Sequence, residues 1–268
     1  MTTNFIPSTS VMNWLLEKQD PGARYLAMKE IVEMPSDSPE LIEARQQAYT
    51  FGQMGQVLAA MDDTGFWNVP GPGYNPKYYS TVWSLVLLAQ LGASVNEDER
   101  IQRACNYYLD HALSPSGQIT SSGQPSGTVD CLQGNISWAL TVMGFNDPRM
   151  DIAYEWMARS VTGEGVAPRG TKGVEQRYYA GKCGPNFACG ANDTQPCAWG
   201  AVKVMLAFSV LPQVKRTPLI ESAVQAGVEF IFSVDPAGAD SRIPIVQSQA
   251  GTGGNLASQF FILPTSCS

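Results

Sequence analysis

The chain has 268 residues, 44% of them hydrophobic and 15% charged, with a net charge of −7. This composition supplies a large apolar core and excludes a disordered chain. The negative balance, with no cluster of Lys or Arg, excludes a nucleic-acid backbone as partner. The longest apolar runs, 82–91 and 202–211, are broken by Ser84, Gln90, Lys203 and Ser209. Both fall short of the roughly 20 residues that span a bilayer. Residues 1–14 show no basic stretch leading into an apolar one, so no signal peptide is expected and the protein reads as soluble and cytoplasmic. In a reducing compartment the six cysteines are expected as thiols or metal ligands rather than disulfides.

In chain order, a short helix is expected over 13–18. Asp20-Pro21 then offers an N-cap followed by proline at the first helical position, opening a helix to about Glu33, and Ser38-Pro39 opens a third in the same way. Beyond this N-terminal pair, over 38–240, the chain settles into a cycle. Val57, Leu58 and Met61 lead through Gly65-Phe66-Trp67 to an apolar helix over 79–91 that ends at Gly92. Next, over 98–113, Ile101, Ala104, Cys105, Tyr108, Leu109 and Ala112 recur at i, i+3, i+4, i+7, i+8 and i+11. That spacing draws one apolar stripe along a helix, and Asn96 with Glu99 predicts its capping box. A turn at Ser114-Pro115-Ser116-Gly117 follows. Then comes a helix that is apolar nearly all round: Ile136, Trp138, Ala139, Leu140, Val142 and Met143, ending at Gly144.

A third unit runs from Ile152, Ala153, Trp156, Met157 and Ser160 through Gly163-Glu164-Gly165 to an apolar helix over 197–211. A fourth begins with Ile220, Ala223, Val224, Gly227 and Ile231 but shows no clear partner helix. The turns lie 52 residues apart (Gly65 to Gly117) and then about 46 (Gly117 to Gly163). A period near 50 with two helices per unit marks a repeat architecture. A one-stripe helix sits in an outer layer, whereas a helix apolar on every side needs cover on every side. The fold class read from this alternation is all-α: an α/α toroid, or an open arc of about four helical hairpins plus an N-terminal helix pair. It forms a single domain over 1–268 with an irregular tail at 241–268. A stacked solenoid is the alternative.

The segment Val57-Leu58…Gly65-Phe66-Trp67 resembles the repeat of squalene–hopene cyclases and protein prenyltransferases. The stretches Gly71-Pro72-Gly73-Tyr74, Thr81-Val82-Trp83, Leu88-Ala89-Gln90-Leu91-Gly92, Cys131-Leu132…Gly134-Asn135 and Pro196-Cys197-Ala198-Trp199-Gly200 look like a bacterial group related to those cyclases. The resemblance covers roughly residues 10–240. It implies a central apolar cavity that holds isoprenoid chains in relatives. The Asp-x-Asp-Asp and Asp-Asp-x-x-Asp motifs of the enzymes are absent, since the acid pair Asp62-Asp63 is flanked by Ala60-Met61 and Thr64-Gly65-Phe66.

Three groups of residues carry candidate chemistry. Cys131, Cys183, Cys189 and Cys197 supply four thiolates for a tetrahedral zinc site, although the spacings Cys-x5-Cys and Cys-x7-Cys lack the tight knuckle. Inert buried thiols and a reactive thiol are the alternatives. Asp130, and less so Asp62 or Asp63, is a candidate general acid if an apolar pocket keeps it protonated; helix capping is the other use. Trp67, Tyr74, Tyr78, Tyr79, Trp83, Trp138 and Trp199 are candidates to face a ligand through their rings or to pack the core. The loop with Arg169, Lys172, Arg177, Tyr178 and Tyr179 is a candidate cap over the cavity. The single histidine, His111, reads as solvent-facing near a helix C-terminus. The expected partner is an apolar small molecule, with self-association through an open ring edge. A non-catalytic scaffold for a partner protein is the competing function.

Overall fold

The computed structural model describes residues 8–233. Within them lie ten α-helices and no β-strand: α1 Thr9–Leu15, α2 Pro21–Leu26, α3 Pro39–Thr50, α4 Gln53–Ala59, α5 Thr81–Gln90, α6 Glu99–Ala112, α7 Asp130–Val142, α8 Pro148–Thr162, α9 Ala198–Val210 and α10 Pro218–Phe232. A turn of π-helix over Ala27–Ile31 continues α2. The expected tail at 241–268 lies outside the described residues.

Local chemistry starts the helices. Asp20 accepts the Ala23 N–H at 3.0 Å and Ser38 accepts the Leu41 N–H at 3.4 Å, each ahead of a proline at the first helical position. The cap of α6 differs from expectation. Asp98, not Asn96, fills it, accepting the Arg100 N–H at 2.9 Å, while Glu99 reaches forward to Arg103 at 3.4 Å. Asp147 repeats this arrangement at α8, taking the Arg149 N–H at 2.8 Å and its Nε at 2.9 Å. Asp98 likewise holds the Arg100 Nε at 3.0 Å. The two Asp-x-Arg clasps stand 49 residues apart.

The turns repeat as well. The Gly65 N–H donates to the Asp62 carbonyl at 2.9 Å, and the Asp62 N–H to the Phe66 carbonyl at 2.8 Å. Exactly one unit on, shifted by 52, Gly117 bonds Ser114 at 3.0 Å and Ser114 bonds Gln118 at 2.8 Å. Both glycines have positive φ (108° and 94°) and both lie against the backbone of the next outer helix. A methyl carbon would sit 3.0 Å from the Arg103 carbonyl oxygen at Gly65, and 2.5 Å from that of Ile152 at Gly117. Only glycine suits this combination of conformation and approach.

The stripe on α6 is buried at all six positions. The apolar helices pack in the order α5, α7, α9, with α6, α8 and α10 against them and α8 packed on α10. Gly134 lets α7 cross α9 closely, because a side chain there would overlap the Lys203 carbonyl. The N-terminal helices α2 and α3 keep a small core of their own, Tyr25, Met28, Leu41, Ala44 and Ala48.

The second apolar helix begins at Asp130, beside Cys131, and its first turns carry the buried polar residues Asp130, Gln133 and Ser137, which interrupt the apolar pattern before Ile136. One boundary shifts from the sequence reading. The helix expected over 79–91 begins only at Thr81. Tyr78 takes a positive φ, and the Ser80 hydroxyl donates to the Pro76 carbonyl at 2.9 Å, so the chain is still turning there. Nor are the apolar helices covered on every side. Each leaves one flank open, seen in Val142 at 40% and Leu206 at 37% exposure, and these flanks share a groove.

Candidate functional site

That groove occupies about 1100 Å3. Val86, Leu87 and Gln90 of α5, Asn135, Trp138 and Val142 of α7, and Lys203 and Leu206 of α9 form one wall, and Leu15, Leu26 and the π-helical turn face them. Ligand pockets usually span about 300–1,000 Å3 with apolar walls and few polar groups. Here the charges at the rim are mixed: Asp20, Glu30, Lys29 and Lys203. The Lys203 ammonium lies 5.2 Å from the centre of the Trp199 ring, and burial pulls its pKa down.

Of the seven aromatics named as candidates to face a ligand, Trp138 alone lines the groove. Trp67 is in the core at 4% exposure, its Nε1 donating to the Val57 carbonyl at 2.7 Å. Tyr74 and Trp83 pack on each other with ring centres 5.6 Å apart. Tyr79 is 71% exposed, and Trp199 is half-buried beneath Lys203.

The second region lies at the other end of α7. The third turn departs from the repeat and expands into a loop from Gly163 to Cys197 that folds back over the first turn of α7. Isolated bridges hold it: Val129 beside Lys182, Ala167 beside Arg177 and Ala188 beside Pro196. The loop with Arg169, Arg177, Tyr178 and Tyr179 therefore caps this end rather than the groove. Tyr178 is buried, its hydroxyl donating to the Ser160 carbonyl at 2.8 Å. The Arg177 guanidinium stacks over Tyr179 at 4.6 Å.

Beneath the loop, Asp130 is only 4% exposed. Its carboxyl accepts from the Ser160 hydroxyl at 3.5 Å and from the Gly184 N–H. Its own N–H donates to the Lys182 carbonyl at 3.3 Å. Burial, and then the nearby Cys189, push its pKa well above the ordinary carboxylate range. The group is nevertheless remote from the groove wall. Asn135, the nearest α7 residue lining the groove, is five residues along the helix, about 7.5 Å at 1.5 Å per residue. As placed, Asp130 fastens the loop to α7.

All four cysteines singled out in the sequence reach this region, close enough to influence one another's ionisation. Among the described residues no three His, Cys, Asp or Glu side chains are gathered as a metal ion requires, so the arrangement lends no support to the candidate zinc site. Cys183 turns away, its thiol 3.9 Å from the Ala180 carbonyl, in a small apolar cluster with Tyr178 and Ala180. Cys131, on the first turn of α7, is raised to about 11 by burial and by Asp130.

Cys189 and Cys197 are different. They flank the bridged pair Ala188 and Pro196, in a hairpin closed by Cys189 N–H to Gln195 O at 3.2 Å and Cys197 N–H to Phe187 O at 2.9 Å. Strand alternation turns both side chains to one face. The Asn192 N–H donates to the Cys189 carbonyl at 2.8 Å, and the Cys197 thiol together with the backbone N–H groups of this turn favours the thiolate of Cys189. These donors draw Cys189 down to about 6, while the same partnership holds Cys197 up.

The Asp-x-Arg clasps and the groove wall escaped the sequence reading. The signal for the clasps was Asp98-Glu99-Arg100 against Asp147-Pro148-Arg149. His111, exposed and stacked on Tyr107 with ring centres 4.0 Å apart, joins neither region. No helix among the described residues is long and apolar enough to cross a membrane. Comparison of the chain with family models, with curated proteins and with solved structures returns no match.

Proposed function

We propose that the groove beside α5, α7 and α9 binds an elongated apolar molecule, of the isoprenoid kind implied by the resemblance to the cyclase and prenyltransferase repeat. The reading rests on one observation: three successive apolar helices leave their open flanks on a common groove of about 1100 Å3. Flanks such as Val86, Trp138 and Leu206 gain free energy when a hydrocarbon chain displaces water, about 25 cal/mol for each Å2 covered. The alternation of these helices with the striped α6, α8 and α10 supports a toroidal arc. Self-association through an open edge of that arc belongs to the same proposal.

The test is titration with a 20-carbon prenyl alcohol, read by native mass spectrometry. One molecule bound per chain is expected. Leu206→Asp, which sets a charge in the groove from a partly exposed position, should weaken binding at least tenfold while shifting stability by no more than about 0.5 kcal/mol. Equal binding by this variant, or none by the parent chain, defeats the proposal. A helical scaffold for a protein partner is favoured by another observation, the exposure of Trp14, Phe51 and Phe232; it predicts no retained lipid.

A further inference from the structure

The Gly163–Cys197 loop builds a third feature that neither the repeat nor the groove requires. Beside Cys189 lies a separate cavity of about 420 Å3, lined by Arg169, Tyr178, Cys183, Pro185, Cys189 and Thr194 among others. One member of the hairpin thiol pair thus borders a cavity, with Cys197 behind it. We propose that Cys189 and Cys197 form a reversible two-electron redox pair, in which Cys189 is the thiol that attacks a small hydroperoxide admitted through this cavity and Cys197 is the resolving thiol.

The geometry supplies each part. The hairpin puts the two side chains on one face at diagonal positions, and Cys197 stands just before α9, which starts at Ala198. The tight turn after Cys189, closed by the Asn192 N–H donating to the Cys189 carbonyl at 2.8 Å, brings backbone N–H groups near its sulfur, and such donors favour negative charge there. Lys182 adds a favourable charge nearby. The other thiols among the described residues lack this combination. Cys105 is fully buried in the core, Cys183 bonds the Ala180 carbonyl, and Cys131 sits beside the buried Asp130.

The step balances. The Cys189 thiolate attacks one peroxide oxygen, forming an S–O bond as the O–O bond breaks. The electron pair leaves on the second oxygen, which takes up a proton and departs as alcohol, or as water when the oxidant is hydrogen peroxide. The Cys197 sulfur then attacks the Cys189 sulfur. The hydroxyl on Cys189 leaves as water with the Cys197 proton, and the S–S bond forms. Two thiols are oxidised by one hydroperoxide, and an added dithiol reverses the change.

The experiment treats the full chain with one equivalent of hydrogen peroxide, alkylates the remaining thiols, and maps peptides by mass spectrometry. The expected result is loss of two alkylatable thiols and a Cys189–Cys197 cross-link that a dithiol reverses. In Cys197→Ser, a sulfenic acid on Cys189 should be trapped by dimedone, and in Cys189→Ser the peroxide-dependent loss should fall at least tenfold. The mapping of the parent chain decides the matter even if a variant fails to fold. Oxidation spread evenly over the thiols, or a cross-link elsewhere, overturns the proposal. So does one equivalent of zinc that is released as thiols are blocked. Because prenyl-alcohol binding is read separately, this result stands or falls independently of the groove.

Discussion

The two ends of α7 meet opposite environments. Its first turn, with Asp130 and Cys131, is sealed beneath a long loop, in contact with backbone donors and other thiols. Its second half shows Trp138 and Val142 to an open apolar groove. One rigid helix thus serves a polar, closed region and an apolar, open one. The difference lies in what surrounds the helix: at the groove, neighbouring units repeat the same flank, and at the capped end a single unit breaks the repeat. Repetition builds a surface, and departure from it gathers functional groups.

Four changes test this division, beginning with the one that destroys both regions. Gly134→Leu forces α7 off α9 at their crossing, and should cost about 3 kcal/mol or more, measured by urea unfolding. Phe230→Ala removes a ring whose centre lies 5.7 Å from that of Phe187 in the loop. It should cost about 2 kcal/mol and speed proteolysis within 163–197, with groove binding unchanged. Trp138→Ala should do the reverse, weakening prenyl-alcohol binding about tenfold, some 1.4 kcal/mol, while leaving that cleavage rate alone.

The fourth concerns the dependence of stability on pH. Because the folded state raises the Asp130 pKa above the ordinary 3.8, the folded chain keeps a proton that the unfolded chain has released. Stability contributed by this group is then present below pH 3.8 and is lost as pH rises toward the folded value. Asp130→Asn, which retains an acceptor oxygen, should flatten this part of the profile in unfolding curves at successive pH values. An unchanged slope would mean that the carboxyl is not buried as described.

Periodicity was most legible where a helix has one apolar side. The α6 stripe was readable at every position, from Ile101 to Ala112, since solvent on the far face keeps the pattern clean. The fourth unit was readable at Ile220, Ala223 and Gly227, all buried. Helices between layers were harder. Nothing in 197–211 distinguishes Ala201, packed inside, from Leu206, left facing the groove, because both are apolar. The four cysteines could be grouped in the sequence as candidate thiolates, but their geometry depends on the bridge between Ala188 and Pro196. The pairing of Cys189 with Cys197, and the absence of a fourfold arrangement, follow from that local fold. Tyr79 was misplaced because a turn set by a Ser80–Pro76 bond leaves no mark on hydrophobic spacing.

The glycine turns have a consequence for how such a chain can change. Gly65 and Gly117 each bring a turn close against the backbone of the next striped helix, so the spacing at these two points is set by a main-chain approach. Length added after such a turn and before the following apolar helix leaves this approach untouched, and that is where the third unit is longest. A lineage built this way can lengthen one link and explore new reactivity there while its neighbours stay in step.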